Sequence, residues 1–314
     1  MLLLLDLHAL IHRAYWAIPR LTDSSGQPTN AVYGLTNMIF RLVDDLTPSY
    51  LLAANDLPEP SFRHQEYIGY QIKRQRAEED LVSQIPLAHH LVKSMQIPLF
   101  SSSGFEADDV IATLVKKLLP QFKKTSSQKS SPVLITIVTG DKDLMQLVSR
   151  QVHLHLPLRA LSQTQDFGPR AVREKLGIKP SQVVDYKALV GDSSDNYPGV
   201  LGIGEKTAVP LLQKYGSLDQ IYQNLSDISS PALREKLKSS KEDAYLSRRL
   251  AKLVDTVPLP AQLRLSSLKF KPSQLTQSLP FLQELGFHSL QKRLEKYEKK
   301  EKIKEAAHHQ TSLF

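Results

Sequence analysis

Apolar residues fall along the chain in short runs separated by longer stretches with helical spacing. Leu2–Leu5, Tyr50–Ala54, Ile97–Phe100, Val133–Val138 and Val152–Leu156 are runs of strand length. They have the near-continuous apolar character of strands covered on both faces. Thr29–Leu46, Asp80–Met95, Ala107–Leu118 and Lys142–Ser149 lie between them and predict helices. The alternation predicts an α/β domain over residues 1–170, with a mainly parallel sheet flanked by helices. From about Val172 the strand signal fades and short helices with turns take over, predicting a helical subdomain over 171–290. Gln291–Glu305, with seven Lys/Arg and four Glu, reads as a solvated helix running into a charged tail at 291–314. Thr125–Ser131 is a polar, low-complexity stretch and predicts a surface loop.

The opening leucines do not make a signal peptide: no basic region precedes them, the run is four residues, and Asp6 ends it. Nothing else approaches the roughly 18 apolar residues of a membrane span, so no membrane partner is expected. With 314 residues, 41% of them hydrophobic and 23% charged, the chain can bury a proper core. Cysteine is absent, which excludes disulfides, thiolate metal sites and a cysteine nucleophile. The formal charge of +8 suits a polyanionic partner without identifying one.

The acidic residues are less ordinary. In a parallel sheet, ligand groups sit at the carboxyl ends of the strands, and Asp6, Asp56 and Asp141 each fall just beyond a predicted strand. Glu106, Asp108 and Asp109 open the helix at Ala107, Asp141 and Asp143 follow the most β-branched strand, and Asp192 and Asp195 stand three apart. Any one of them is ordinarily a cap or a turn residue. Caps do not explain three clusters and two strand-end aspartates at one edge. Nine carboxylates in one cleft require cations, and an all-oxygen ligand set suits Mg²⁺ or Mn²⁺, two or more ions. A divalent-metal cleft in a basic protein fits phosphodiester hydrolysis.

Gly199–Ala208, GVLGIGEKTA, fails the P-loop and dinucleotide patterns, because Glu205 and Thr207 occupy their key positions. It predicts a tight hairpin between short helices over about 186–215, with backbone amides free to hold a phosphate.

LLLLDLHALIHRAYWA, SFRHQEYIGYQIKR, GFEADDVIATL, VTGDKDLMQLV and LVGDSSDNYPGVLGIGEKTA together resemble the successive motifs of the bacterial 5′-nuclease family. That family includes the 5′–3′ exonuclease domain of DNA polymerase I, its stand-alone relatives and phage enzymes, with flap endonucleases as distant kin. The resemblance runs from about Leu2 to about Leu265. It implies a PIN-like domain, a helical arch at about 66–100, and a helix-hairpin-helix that binds duplex DNA. It implies Asp6, Asp56, Glu106, Asp108 and Asp109 around a first metal, Asp141 and Asp143 between two sites, and Asp192 and Asp195 at the second.

The resemblance also implies phosphate contacts by Arg13, Arg63 and Arg74, stacking of Tyr70 on a terminal base, and duplex binding through Gly202, Gly204, Lys206 and Thr207. A K⁺ ion at the hairpin, held by backbone carbonyls, belongs to the same implication. The family's Tyr-Lys pair is here Tyr70-Gln71, with Lys73 two residues on as the substitute, and Leu7 stands in place of the glycine after the first aspartate. Gln310, Leu313 and Phe314 resemble the bacterial sliding-clamp pentapeptide.

The implied protein is a stand-alone, cytoplasmic, nucleoid-associated 5′–3′ exonuclease and flap endonuclease. It would act on DNA with 5′ ends or flaps, in primer removal and repair, beside a separate DNA polymerase. The alternatives are a PIN-type ribonuclease and a structure-specific DNA-binding protein with impaired catalysis.

Overall fold

A computed structural model of the chain describes residues 1–122, 133–157 and 164–298. The loop expected at Thr125–Ser131 and the peptide Gln310, Leu313 and Phe314 lie outside the described residues. A six-stranded sheet runs in the order β3-β2-β1-β4-β5-β6. Its strands are β1 (Leu2–Asp6), β2 (Tyr50–Ala54), β3 (Leu99–Phe100), β4 (Ile135–Val138), β5 (Val152–Pro157) and β6 (Thr164–Phe167). All pairs are parallel except β5 with β6. The polar sequence Thr164-Gln165-Asp166-Phe167 hid this edge strand from pattern reading.

The alternation of side chains along a strand divides the core in two. Leu2 and Leu4 join one apolar cluster, while Leu3 and Leu5 join another on the opposite face. The second face is covered by α1 (Leu7–Ala17), α2 (Asn30–Leu46) and α5 (Ile85–Ser94). Helix α1, which no sequence signal had marked, starts on Asp6: the carboxylate accepts from the amide of Ala9 at 3.2 Å. Two short helices, α3 (Phe62–Glu66) and α4 (Glu79–Val82), precede α5. The helix expected at Asp80–Met95 is thus interrupted near Gln84, with Pro86 opening α5 in its first turn.

Residues 66–100 do not form one helical arch. Residues 68–73 are turns and 74–78 carry no regular secondary structure, whereas α5 packs on α2 and β3 enters the sheet.

The first face is covered by α6 (Ala107–Phe122) and, beyond it, by the helical half. The helix expected at Lys142–Ser149 is a 3-10 turn at Asp143–Leu147. The helical half comprises α7 (Pro169–Leu176), α8 (Val183–Val190), α9 (Glu205–Tyr215), α10 (Leu218–Gln223), α11 (Pro231–Ser239) and α12 (Lys241–Ala251), with α8 packed on α12. Helices α8 and α9 flank the expected hairpin.

After α12 the chain returns to the sheet's second face. Phe270, Leu275, the short α13 (Leu279–Glu284) and α14 (288–298) pack there with α1, α2 and α5. Residues 270–290 therefore belong physically to the sheet's covering layer and not to the helical half. Nor is the last helix simply solvated. Leu290, Leu294 and Tyr297 bury one stripe of it, Tyr297 donates to the Phe40 carbonyl at 3.2 Å, and Arg293 binds Asp44 at 3.1 Å.

Candidate metal centre

Strands β2, β1 and β4 are adjacent and parallel, with Asp6 opposite Ala54 and Leu5 opposite Val138. Their carboxyl ends therefore deliver Asp56, Asp6 and Thr139–Asp141 to one edge. The connections on either side of β1 run in opposite directions across the sheet, the place where an open α/β sheet forms a crevice. A cleft of about 620 Å³ opens there, and its walls include Asp6, Asp56, Glu106, Asp108, Asp141, Asp143 and Asp195.

Asp6 is buried, and Thr139, itself wholly buried, donates its hydroxyl to Asp6 Oδ2 at 2.6 Å. The same hydroxyl accepts from the Asp141 amide at 2.9 Å. Burial pushes the Asp6 carboxyl up to about 7; the Thr139 bond opposes this, and Asp56 and Asp141 add repulsion. Asp108 is held well above the carboxylate range by desolvation, then by Asp141, Asp6 and Asp56. Asp56 accepts from the Ala107 amide at 2.8 Å, tying the end of β2 to the start of α6. Glu106 accepts from Ser61 at 2.6 Å, Tyr70 at 3.1 Å and Arg63 at 3.2 Å. Burial nevertheless raises its pKa.

The opposite wall comes from the helical half. Asp192 Oδ1 accepts from the amides of Ser194 and Asp195 at 2.7 and 3.1 Å, and Asp192 and Tyr197 exchange backbone bonds. This loop turns through Gly191 and Gly199, at φ +76° and +64°. A Cβ on Gly199 would lie 2.3 Å from the Gly191 nitrogen, so the position admits only glycine. Asp143, Asp192 and Asp195 each bring one oxygen within 4.8 Å of the others. Burial and Asp141 push Asp143 up to about 7. Asp192 lies below its usual value: burial would raise it, but Lys187 and the loop amides outweigh burial.

Several expectations change. Asp109 is fully buried and does not line the cleft: it accepts from Arg63 at 2.7 and 2.8 Å, from the Val254 amide at 2.8 Å and from the Glu106 amide at 3.2 Å. With its lone pairs taken, it is a partner of Arg63 and not a metal ligand. Arg63 is equally unavailable to a DNA phosphate, since it also donates to the Leu250 carbonyl at 2.8 Å and to the Lys252 carbonyl at 3.3 Å.

Tyr70 is not free to stack on a base either. It is 3% exposed, packed edge-on against His64, with its hydroxyl on Glu106. Gln71, at φ +52°, donates its side-chain amide to Asp195 Oδ1 at 2.9 Å and its backbone amide to the Asp195 carbonyl at 2.9 Å. Arg74 lines the cleft and is exposed, with Nη1 3.3 Å from Gln71 Oε1. Lys73 is exposed outside the cleft's walls.

Arg13 does not line the cleft; its Nε and Nη2 are buried without a hydrogen-bond partner among the described residues. At the hairpin, Gly202 has φ +75°, Gly204 caps α9, and Lys206 is exposed in its first turn, with Thr207 half-buried beside it. The Gly202 carbonyl accepts from Lys236 at 3.3 Å.

Sequence reading missed Thr139, Lys187, Ser61 and two histidines of the cleft wall. His8 and His12 lie one turn apart on α1, ring centroids 4.7 Å apart. Burial, then His8 and Arg74, lower His12 to about 4, so it is neutral at pH 7. Their i, i+4 spacing beside Asp6 was the available signal.

The donor set fits hard divalent cations: the clustered groups are carboxylates, several held away from ionisation by burial and mutual repulsion, and among the described residues no ion pair reaches Asp6 or Asp108.

A family model for the 5′-3′ exonuclease N-terminal resolvase-like domain matches residues 1–177, and one for the 5′-3′ exonuclease C-terminal SAM fold matches 178–275. DNA polymerase I of Caldicellulosiruptor bescii is 40% identical over 295 residues, 93% of this chain and 33% of that protein. The chain spans about a third of the length of the polymerases it matches. The 5′-3′ exonuclease of Aquifex aeolicus is 38% identical over 295 residues, covering 94% of this chain and 95% of its own. A structure of T5 5′-exonuclease with bound zinc ions shares the fold at TM-score 0.64 and 20% identity, covering 95% of this chain and 98% of that one.

Proposed function

The chain belongs to the 5′-3′ exonuclease family, and from that premise we propose that it is a divalent-metal-dependent 5′–3′ exonuclease and 5′ flap endonuclease of DNA. The observation that carries this reading is the convergence of Asp6, Asp56, Glu106, Asp108, Asp141, Asp143 and Asp195 on one cleft in a chain of net charge +8. Primer removal and repair are the settings such cutting suits, with Mg²⁺ or Mn²⁺ as the ion.

Asp6, Asp56, Asp108 and Asp141 would hold one ion, and Asp143, Asp192 and Asp195 a second. Ions held there would supply a hydroxide nucleophile at neutral pH and a clamp for the reacting phosphate oxygens. Thr139 fixes the carboxylate of Asp6 and the backbone of Asp141 together. Arg74, exposed on the cleft wall, would receive a backbone phosphate of the 5′ strand. Gly202, Gly204, Lys206 and Thr207 would hold the duplex through backbone amides and one ammonium, a sequence-independent grip, with K⁺ as a candidate ion at the same turn. Partners of the whole protein, a DNA polymerase and through Gln310, Leu313 and Phe314 a sliding clamp, belong to the proposal, as does a cytoplasmic, nucleoid-associated location. Among the described residues no helix is long and apolar enough to cross a membrane.

A second reading, a DNA-binding protein with impaired catalysis, draws on Gln71, whose amide holds Asp195 where a ligand of the second ion should be free. A 5′-labelled flap substrate incubated with Mg²⁺, beside EDTA and RNA controls, separates the two. Cutting of DNA that stops in EDTA supports the enzyme. Tight binding without cutting supports the second reading, and preferential cutting of RNA overturns both.

A further inference from the structure

Lys187 stands in the last turn of α8, and the chain reverses just after it. The Gly191 amide closes the helix on the Lys187 carbonyl at 2.8 Å, and the positive φ of Gly191 brings Asp192 back over the lysine side chain. The ammonium lies 2.5 Å from Asp143 Oδ1 and also contacts Asp192 Oδ2. Asp143 and Asp192, with Asp195, form the one group of clustered acidic side chains with metal-ligand spacing among the described residues. An ammonium therefore rests on two of the three carboxylates that a divalent ion would use. Its stem is partly enclosed, at 18% exposure, on a helix packed against α12.

Three carboxylates brought this close in a partly desolvated cleft repel one another and need positive charge. A lysine suits a replaceable charge better than an arginine, being a compact point charge on a flexible stem with no bidentate hold on its partners. We infer that Lys187 is a tethered counter-cation of the second ion site: it neutralises Asp143 and Asp192 when no divalent ion is bound, and must leave them for an ion to bind. The apparent affinity of that site is then lowered by the fraction of molecules in which the ammonium is seated. This rests on the metal-dependent reading above and adds that the chain carries its own competitor for one of the two ions.

The test is calorimetric titration of the full chain with Mn²⁺, comparing the natural protein with Lys187→Met and Lys187→Arg. The expected result is two ions in the natural protein and, in Lys187→Met, a weaker-binding ion tightened by about tenfold or more. In EDTA, Lys187→Met melts at a lower temperature than the natural protein, and saturating Mn²⁺ removes the difference. Lys187→Arg keeps the weak second ion. An unchanged or weakened second ion in Lys187→Met overturns the inference and leaves the metal reading intact; no Mn²⁺ binding by the natural protein overturns the metal reading itself. If Lys187→Met folds only with Mn²⁺ present, the ion has replaced the ammonium, as expected. If it and Lys187→Gln fail to fold under both conditions, the two cations are not interchangeable and the inference is wrong.

Discussion

Arg63 and Asp109 form a buried bidentate ion pair in a seam between the sheet and the helical half, with Nη1–Oδ2 at 2.7 Å and Nη2–Oδ1 at 2.8 Å. Arg63 spends its remaining donors on Glu106 and on carbonyls that directly follow or end α12. Removing either partner strips a buried charge of its bidentate counter-ion. Asp109→Asn or Arg63→Met should cost about 3–5 kcal/mol of stability, read as a lower urea midpoint. Abolished Mn²⁺ binding in Asp109→Asn with an unchanged midpoint would restore Asp109 to the ligand set.

Thr139 is expected to act through Asp6 and Asp141 as a positioning residue. Thr139→Val keeps the shape of the side chain and loses the hydroxyl that joins them. Mn²⁺ affinity should fall by about 10–100-fold, as when a partner of a metal ligand is removed. Thr139→Ser, which keeps the hydroxyl, should recover most of it. Equal affinities in the valine and serine variants would show that the hydroxyl does not position the carboxylates.

Without divalent ions, stability should depend on pH in a definite direction. The carboxyls of Asp6 and Asp143 are each raised to about 7 in the folded chain against ordinary values of 3.8. Between those limits the folded state binds more protons than the unfolded one, so these groups lower stability as pH rises from about 4 to about 7. Asp192, shifted downward, works the opposite way near and below its ordinary value, and His12, lowered to about 4, does so up to about 6.5. But Asp108, Glu106 and Asp195 are raised as well and add to the fall. Melting in EDTA should therefore move to lower temperature from pH 5 to pH 7.5, and Mn²⁺ should abolish most of that trend. A flat profile in EDTA would mean that the raised carboxyls do not outweigh the lowered histidines.

Gly199 holds the loop of Asp192 and Asp195 against the end of α8. Gly199→Ala places a Cβ against backbone atoms of Val190 and Gly191 at a positive φ, where neither side can yield cheaply. A loss of about 2–3 kcal/mol is expected, together with a weaker second ion in the Mn²⁺ titration.

Asp192→Asn should reduce turnover on a flap substrate far more than it reduces DNA affinity, because the residue belongs to the acidic cluster with Asp143 and Asp195. Comparison of kcat with the Kd for uncut DNA in EDTA checks this. Parallel losses in both would assign Asp192 to DNA binding.

Much of the cleft was legible because parallel topology turns strand ends into one place: Asp6, Asp56 and Asp141 needed only the recognition of three runs and their order. Asp109 was misread because it neighbours Asp108 in sequence, yet successive helical residues point about 100° apart. One therefore faces the cleft and the other the seam. The burial of Arg63 and Tyr70 had no local signal, since it depends on Leu250, Lys252 and Asp195, far along the chain. Lys187 stands near a helix end, where the helix dipole favours any basic residue, so its position alone carries no signal. Only the fold of the following loop gives it two acidic neighbours. The stripe of Leu290, Leu294 and Tyr297 was visible at helical spacing, but the dense charge around it masked it.

The position of α14 on α2 has a bearing on how the protein is made. The sheet is laid down largely from the first half of the chain, yet the side of α2 that meets the last helix stays open until Phe270 through Tyr297 arrive. A nascent polypeptide thus carries Phe40 without its Tyr297 cover until residues 270–297 have been made. The interval invites chaperone capture, and a fragment ending before residue 270 should precipitate however sound its cutting site.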